Sequence, residues 1–118
     1  MRKLIAVFGV VIVALAASMT GQAKILGTLK GESGPGFSIE VTKGKTDVKK
    51  LKHGSYRIKV EDKSAIHNFH LKGPGVNKKT GVSFVGDKTW TVTLKKGTYT
   101  YQCDVHVAQG MKGTFKVT

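Results

Sequence analysis

Leu94-Lys-Lys-Gly-Thr-Tyr-Thr-Tyr-Gln-Cys103 (LKKGTYTYQC) and Leu51-Lys-His-Gly-Ser-Tyr-Arg-Ile-Lys-Val60 (LKHGSYRIKV) begin with one shared pattern, Leu-Lys-x-Gly-Ser/Thr-Tyr. In both, a glycine turn runs into strict alternation. Tyr56, Ile58 and Val60 fall on one side, with Arg57, Lys59 and Glu61 on the other; Tyr99, Tyr101 and Cys103 likewise share a side. Residues two apart face the same way only in an extended strand, so each copy predicts a half-buried β-strand.

The spacing Leu-x-x-Gly-x-Tyr resembles the tyrosine corner of Greek-key sandwiches, in which the phenol hydroxyl bonds back to upstream backbone. Other segments alternate in the same manner: Phe37-Ser-Ile-Glu-Val41; Trp90, Val92 and Leu94 against Thr89, Thr91 and Thr93; and Phe115 with Val117. Gly34-Pro35-Gly36, Lys43-Gly44-Lys45, Gly73-Pro74-Gly75 and Gly86-Asp87 read as turns between them. About seven short strands at this spacing predict an all-β antiparallel sandwich or barrel.

The first residues have a different character. Arg2 and Lys3 precede an unbroken apolar run, Leu4 to Ala17, and Ser18 to Ala23 ends on the small-x-small step Gly21-Gln22-Ala23. That three-part form predicts a signal peptide over 1–23, cleaved after Ala23, and the run is short for a bilayer span, so no stable membrane insertion is expected afterwards. No cysteine follows the run to carry a lipid anchor. The expected mature domain, 24–118, is 118 less 23, or 95 residues, enough for one small domain. Its charge is +13 less the two cations of the leader, or +11, spread along the chain rather than in a block. Without a basic run or a base-stacking motif an exported protein of this kind has no expected nucleic-acid partner; the charge fits an acidic partner, an anionic surface or another polyanion alike. A single cysteine cannot form an internal disulfide, so the fold must stand on its core, and Cys103 in an oxidising compartment needs a reason of its own.

That reason lies in Tyr101-Gln-Cys-Asp-Val-His-Val-Ala-Gln-Gly-Met-Lys-Gly113, which gathers Cys103, His106 and Met111. A thiolate–imidazole pair could be a nucleophile and its base, but no orienting group or oxyanion pocket accompanies it, and no enzyme is expected. Zinc favours four firm ligands, commonly with paired cysteines. One thiolate with a thioether suits a softer metal, and two histidines, a cysteine and a weak axial methionine form a blue-copper site. The second histidine must come from elsewhere. His53 lies in a solvated turn, while His67 and His70 lie in Ser64-Ala-Ile-His-Asn-Phe-His-Leu71. Parity favours His67, which falls with Ala65, Phe69 and Leu71, over His70, which falls with Ile66 and Asn68.

Cys103-x-x-His106-x-x-x-x-Met111, the separate His67-Asn68 pair, Gly97-Thr-Tyr99 and Gly110-Met-Lys-Gly113 together resemble the plastocyanin-like blue copper proteins, the cupredoxin family. The likeness runs from about Phe37 to Thr118. It implies an antiparallel Greek-key β-sandwich holding one copper ion that cycles between Cu(I) and Cu(II). His67, Cys103 and His106 would be equatorial ligands and Met111 the axial one, with Asn68 tying the His67 segment to the cysteine loop. It further implies a monomeric one-electron carrier, periplasmic or extracellular, that passes electrons through the edge of His106 across an apolar rim of Pro74, Val105, Val107 and Ala108 to redox partner proteins. A copper chaperone or scavenger using the same four side chains is the alternative. Val105 stands where the family often has proline, and the family's acidic patches are absent.

Overall fold

Both copies of the repeated pattern make the bond that a tyrosine corner requires. Tyr56 Oη donates to the Lys52 carbonyl at 2.7 Å. Tyr99 Oη accepts from the Lys95 N–H at 2.9 Å and lies 2.9 Å and 3.0 Å from the carbonyls of Pro74 and Lys95, either of which its one hydrogen can reach. The computed structural model describes residues 24–118; the expected signal segment, 1–23, lies outside the described residues.

Ten strands follow in chain order: β1 Ile25–Ser33, β2 Ile39–Lys43, β3 Thr46–Asp47, β4 Lys50–Leu51, β5 Gly54–Asp62, β6 His70–Gly73, β7 Val76–Lys79, β8 Gly86–Leu94, β9 Gly97–Gln102 and β10 Lys112–Val117. They form two five-stranded sheets, β3-β2-β1-β5-β8 and β4-β10-β9-β6-β7. The expected inward faces close on each other. Leu29, Ile58, Val60, Val92 and Leu94 of the first sheet and Leu71, Tyr99, Tyr101, Phe115 and Val117 of the second are all buried, with Phe69 among them. Tyr99 stacks on Phe115 and Phe69 on Tyr101, so aromatic rings fill the inter-sheet space.

The sandwich is the expected one, and several of its parts differ from expectation. Most neighbours are antiparallel, but β1 runs parallel to β5 and β10 parallel to β4. Alternation fixes which face is buried, not which way a neighbour runs. The central strand β1 has Gly31 and Ser33 at inward positions, which weakens its apolar signal. Gly31 is inward because the Phe69 ring lies on it: a Cβ there would meet Phe69 Cζ at 2.5 Å. Gly86 and Asp87 do not turn but open β8, paired with Asp62 and Glu61. Phe37 precedes β2 and is 58% exposed, not inward with Ile39 and Val41.

Candidate metal centre

The connections β1–β2 (34–38), β5–β6 (63–69) and β9–β10 (103–111) meet at one end of the sandwich, because β1 and β5 finish side by side and β6, β9 and β10 have matching ends there. His67 reaches this end on a turn. Its N–H bonds to the Ser64 carbonyl at 3.1 Å, and Ser64 N–H bonds to Asp62 Oδ1. Strand parity singled out the histidine that reaches this end, but on incomplete grounds: β6 begins only at His70, and Ala65, on the same parity as His67, is exposed.

The β9–β10 connection is built by its own backbone. Cys103 N–H donates to the Met111 carbonyl at 3.0 Å and Met111 N–H to the His106 carbonyl at 3.2 Å, closing the loop at its base. His106 N–H donates to the Cys103 carbonyl at 3.1 Å, a turn that sets side chains three apart near each other. A 3₁₀ turn, Val107–Gln109, follows, and Gly110 at φ 89° reverses the chain in the left-handed region that glycine adopts without strain.

These turns bring His67, Cys103 and His106 together, with one donor atom from each within 4.8 Å of the others. His67 Nδ1 and His106 Nδ1 are 2.9 Å apart, and Cys103 Sγ lies 3.8 Å and 3.5 Å from them. His67, Cys103 and Met111 are fully buried, and Met111 belongs to the same closed loop. His53 and His70 are not drawn in. His53 Nδ1 lies 3.0 Å from the Thr118 carbonyl. His70 has Nδ1 2.7 Å from Asp104 Oδ1 and Nε2 2.6 Å from Asn77 Oδ1, so both its nitrogens are engaged.

The donor set fits copper. A lone pair on each imidazole nitrogen aimed at the other is repulsive unless a proton or a metal cation lies between, and a thiol beside them completes a trigonal N₂S arrangement with a buried thioether nearby. The far nitrogen of His67, Nε2, is buried without a hydrogen-bond partner among the described residues. Nothing on that side holds the ring; it is oriented by its neighbours at Nδ1 and by packing against Gly34 and Phe37.

Asn68 makes the expected link, from both ends of its amide. Asp104 N–H donates to Asn68 Oδ1 at 2.8 Å, and Asn68 Nδ2 donates to Asp104 Oδ2 at 2.9 Å and to the Thr80 carbonyl at 3.2 Å. Burial pushes the Asp104 carboxyl up, but hydrogen bonds from Asn68, Gln102 and His70 outweigh that and bring it down to about 2. It is thus an anion at neutral pH, available as an acceptor to three side chains. Residues around metal ligands in this way fix the ligands' geometry.

One residue escaped the sequence reading and one was misplaced. Phe37 stands edge-on to both imidazoles, with ring centroids 4.9 Å from His106 and 5.6 Å from His67, and shields them from water. Its place in an apparent alternation hid this; the Gly-Pro-Gly before it was the signal that the strand had not yet begun. Pro74, expected at the rim, belongs to the β6–β7 turn and packs against Gly97 at the start of β9, the far end from Cys103.

The family model for copper binding proteins of the plastocyanin/azurin family matches residues 35–118. Among solved structures, reduced rusticyanin is 26% identical, with 77% of this chain and 78% of that chain covered at a TM-score of 0.60. Rusticyanin from Thiobacillus ferrooxidans gives 26% identity, 77% and 76% coverage and a TM-score of 0.58. Dithionite-reduced auracyanin from the photosynthetic bacterium Roseiflexus castenholzii is 20% identical over 80% of this chain and 99% of its own, with a TM-score of 0.54, and shares the fold. No curated protein sequence matches.

Proposed function

Because the chain belongs to the plastocyanin/azurin family of copper-binding proteins, we propose that it is an exported one-electron carrier whose copper is held by His67, Cys103 and His106, with Met111 as axial ligand. The observation that carries this reading is the convergence of three donor atoms within 4.8 Å, from the buried His67 and Cys103 and the half-buried His106. Bound copper supplies the Cu(I)/Cu(II) couple. The protein's part is to hold the donors in one arrangement that both oxidation states accept, so that little nuclear rearrangement accompanies the electron. Asn68 and the backbone bonds across the loop base support that rigidity, and they do so without the proline that Val105 replaces. Burial of Cys103 and Met111 keeps water from the sulfur atoms, one of the levers on a copper site's potential.

His106 is the half-buried member of the set, and its surroundings carry exposed apolar side chains: Phe37 at 58%, Val105 at 52% and, on the β5–β6 connection, Ile66 at 54%. This edge suits a brief encounter with a redox partner, where contact areas are small and release is fast. An exported domain charged +11, which is the +13 of the full sequence less Arg2 and Lys3, draws an acidic partner, raising the encounter rate in a salt-sensitive way. We take the working form to be an exported monomer that transforms no substrate. A copper chaperone would need its metal to reach an acceptor; closure of the site by Phe37 and by the loop base favours a carrier. Adding Cu(II) to the protein should produce an intense thiolate-to-copper absorption band that bleaches and returns through many cycles of reductant and oxidant, with copper retained against a chelator. Copper bound without that band, or lost to the chelator during cycling, would favour the chaperone.

A further inference from the structure

The two outer faces of the sandwich are charged very differently. Of the seven acidic residues in the chain, six stand on the strands of the first sheet (Glu32, Glu40, Asp47, Glu61, Asp62 and Asp87), and the seventh, Asp104, is in the ligand loop. The strands of the second sheet contain no acidic residue at all. Its outward positions, alternate to the buried Leu51, Leu71, Tyr99, Tyr101, Phe115 and Val117, carry Lys50, Lys72, Lys79, Lys112 and Lys116.

These lysines are also uncompensated. The ion pairs among the described residues join Lys30, Lys59 and Lys63 to Glu32 and Glu61 of the first sheet, and Asp104 is engaged by hydrogen bonds from its neighbours; none of these reaches the five lysines. Lys116 even stands directly beside Lys50 across the β10–β4 pairing. Like charges opposite one another cost stability in a sheet, and no ion pair among the described residues offsets this one. The remaining outward groups of the face are threonine, glutamine, asparagine and histidine, with no aromatic or aliphatic side chain to insert into an apolar phase. Lysine is a strongly hydrated point charge suited to diffuse attraction, whereas site-specific pairing favours arginine. Five strands about 4.8 Å apart spread the lysines over a plane roughly 20 Å across.

We propose that this face adsorbs the protein, without insertion, onto a bilayer bearing anionic phospholipid headgroups. An array of five lysines, with the single carboxylate Asp104 at its loop end beside His70 and Gln102, falls within the range of basic clusters that bind such surfaces, each lysine contributing roughly fivefold in affinity. Phe37, Val105 and His106 lie on the loops at the end of the sandwich rather than on this face, so an adsorbed molecule keeps its apolar edge directed along the membrane plane, where a membrane-held redox partner would meet it.

The test is co-sedimentation of copper-loaded protein spanning residues 24–118, which hold all ten strands, with vesicles of phosphatidylcholine alone or containing phosphatidylglycerol. We expect binding only to the anionic vesicles, falling steeply as salt is raised. Lys50→Gln/Lys72→Gln/Lys116→Gln should weaken it on the order of 100-fold. Lys43→Gln/Arg57→Gln/Lys59→Gln, which removes the same charge from the first sheet, should change it about threefold or less. Retention of the copper absorption band in both triples verifies that the fold is kept. Equal losses in the two triples, binding that ignores lipid charge or salt, or capture on an acidic protein matrix with no vesicle binding would each overturn the proposal.

Discussion

Replacing Asn68 by alanine isolates the link between the two halves of the copper site. The amide is 1% exposed and makes three hydrogen bonds, two to Asp104 and one to the Thr80 carbonyl. A neutral bond contributes about 1 kcal/mol net and one to a charged group about 1.5–3 kcal/mol. Asp104 has some access to water and recovers part of its share, which leaves an expected loss of about 3 kcal/mol. For a domain of this size that is a fall in Tm of roughly 15 °C. The assay is thermal unfolding of the copper-free protein, followed by circular dichroism, with the absorption spectrum of the copper-loaded variant recorded alongside. The spectrum should broaden or shift, since the cysteine loop is no longer tied at Asp104. The same measurement on Asp104→Ala and on the double variant completes a cycle, and the double loss should be well short of the sum. A Tm within about 4 °C of the parent together with an unchanged spectrum would refute the claim that this amide positions the ligand loop.

Further predictions follow from single contacts. Gly31→Ala puts a methyl group 2.5 Å from Phe69 Cζ, so chemical denaturation should register a loss of about 1–3 kcal/mol from overpacking. Tyr99→Phe removes a hydroxyl that accepts from the Lys95 N–H and donates to one of two carbonyls, whereas Tyr56→Phe removes one bond to the Lys52 carbonyl. The first should cost about 2–3 kcal/mol and the second about 1 kcal/mol in the same assay. Burial raises the Asp62 carboxyl, against lowering by the Ser64 N–H, Thr80 and His67. A carboxyl raised on folding penalises the ionised native state, a penalty complete at neutral pH and relieved as pH falls through the folded value towards the unfolded one. Asp62→Asn in the copper-free protein should therefore be more stable than the parent at pH 7, with the difference shrinking on acidification; a difference that is constant or widens would contradict the sign.

Much of this molecule was legible because its burial is carried by alternation. Tyr56, Ile58 and Val60 point inward and Arg57 and Lys59 outward, as the sequence reads, and the repeated corner motif marked where two strands begin. Cys103, His106 and Met111 were legible because a single loop holds them at fixed spacing; His67 was harder, since its partners are thirty-six or more residues away. What stayed hidden depends on contacts between distant segments. The inward glycine of β1 makes sense only beneath Phe69, the parallel pairings leave no periodic trace, and Phe37 looks like a strand residue until His67 and His106 stand beside it.

The parallel seating of β10 against β4 has a consequence for the order of assembly. The strand that follows Met111 is clasped on one side by residues 97–102 and on the other by residues 50–51, and His53 N–H closes onto the carbonyl of residue 118. The pocket walls are therefore locked only once Lys112–Val117 is seated between the two. A molecule in which this strand has come away keeps its thiol and imidazoles but has no clasp, so firm metal retention reports a docked β10.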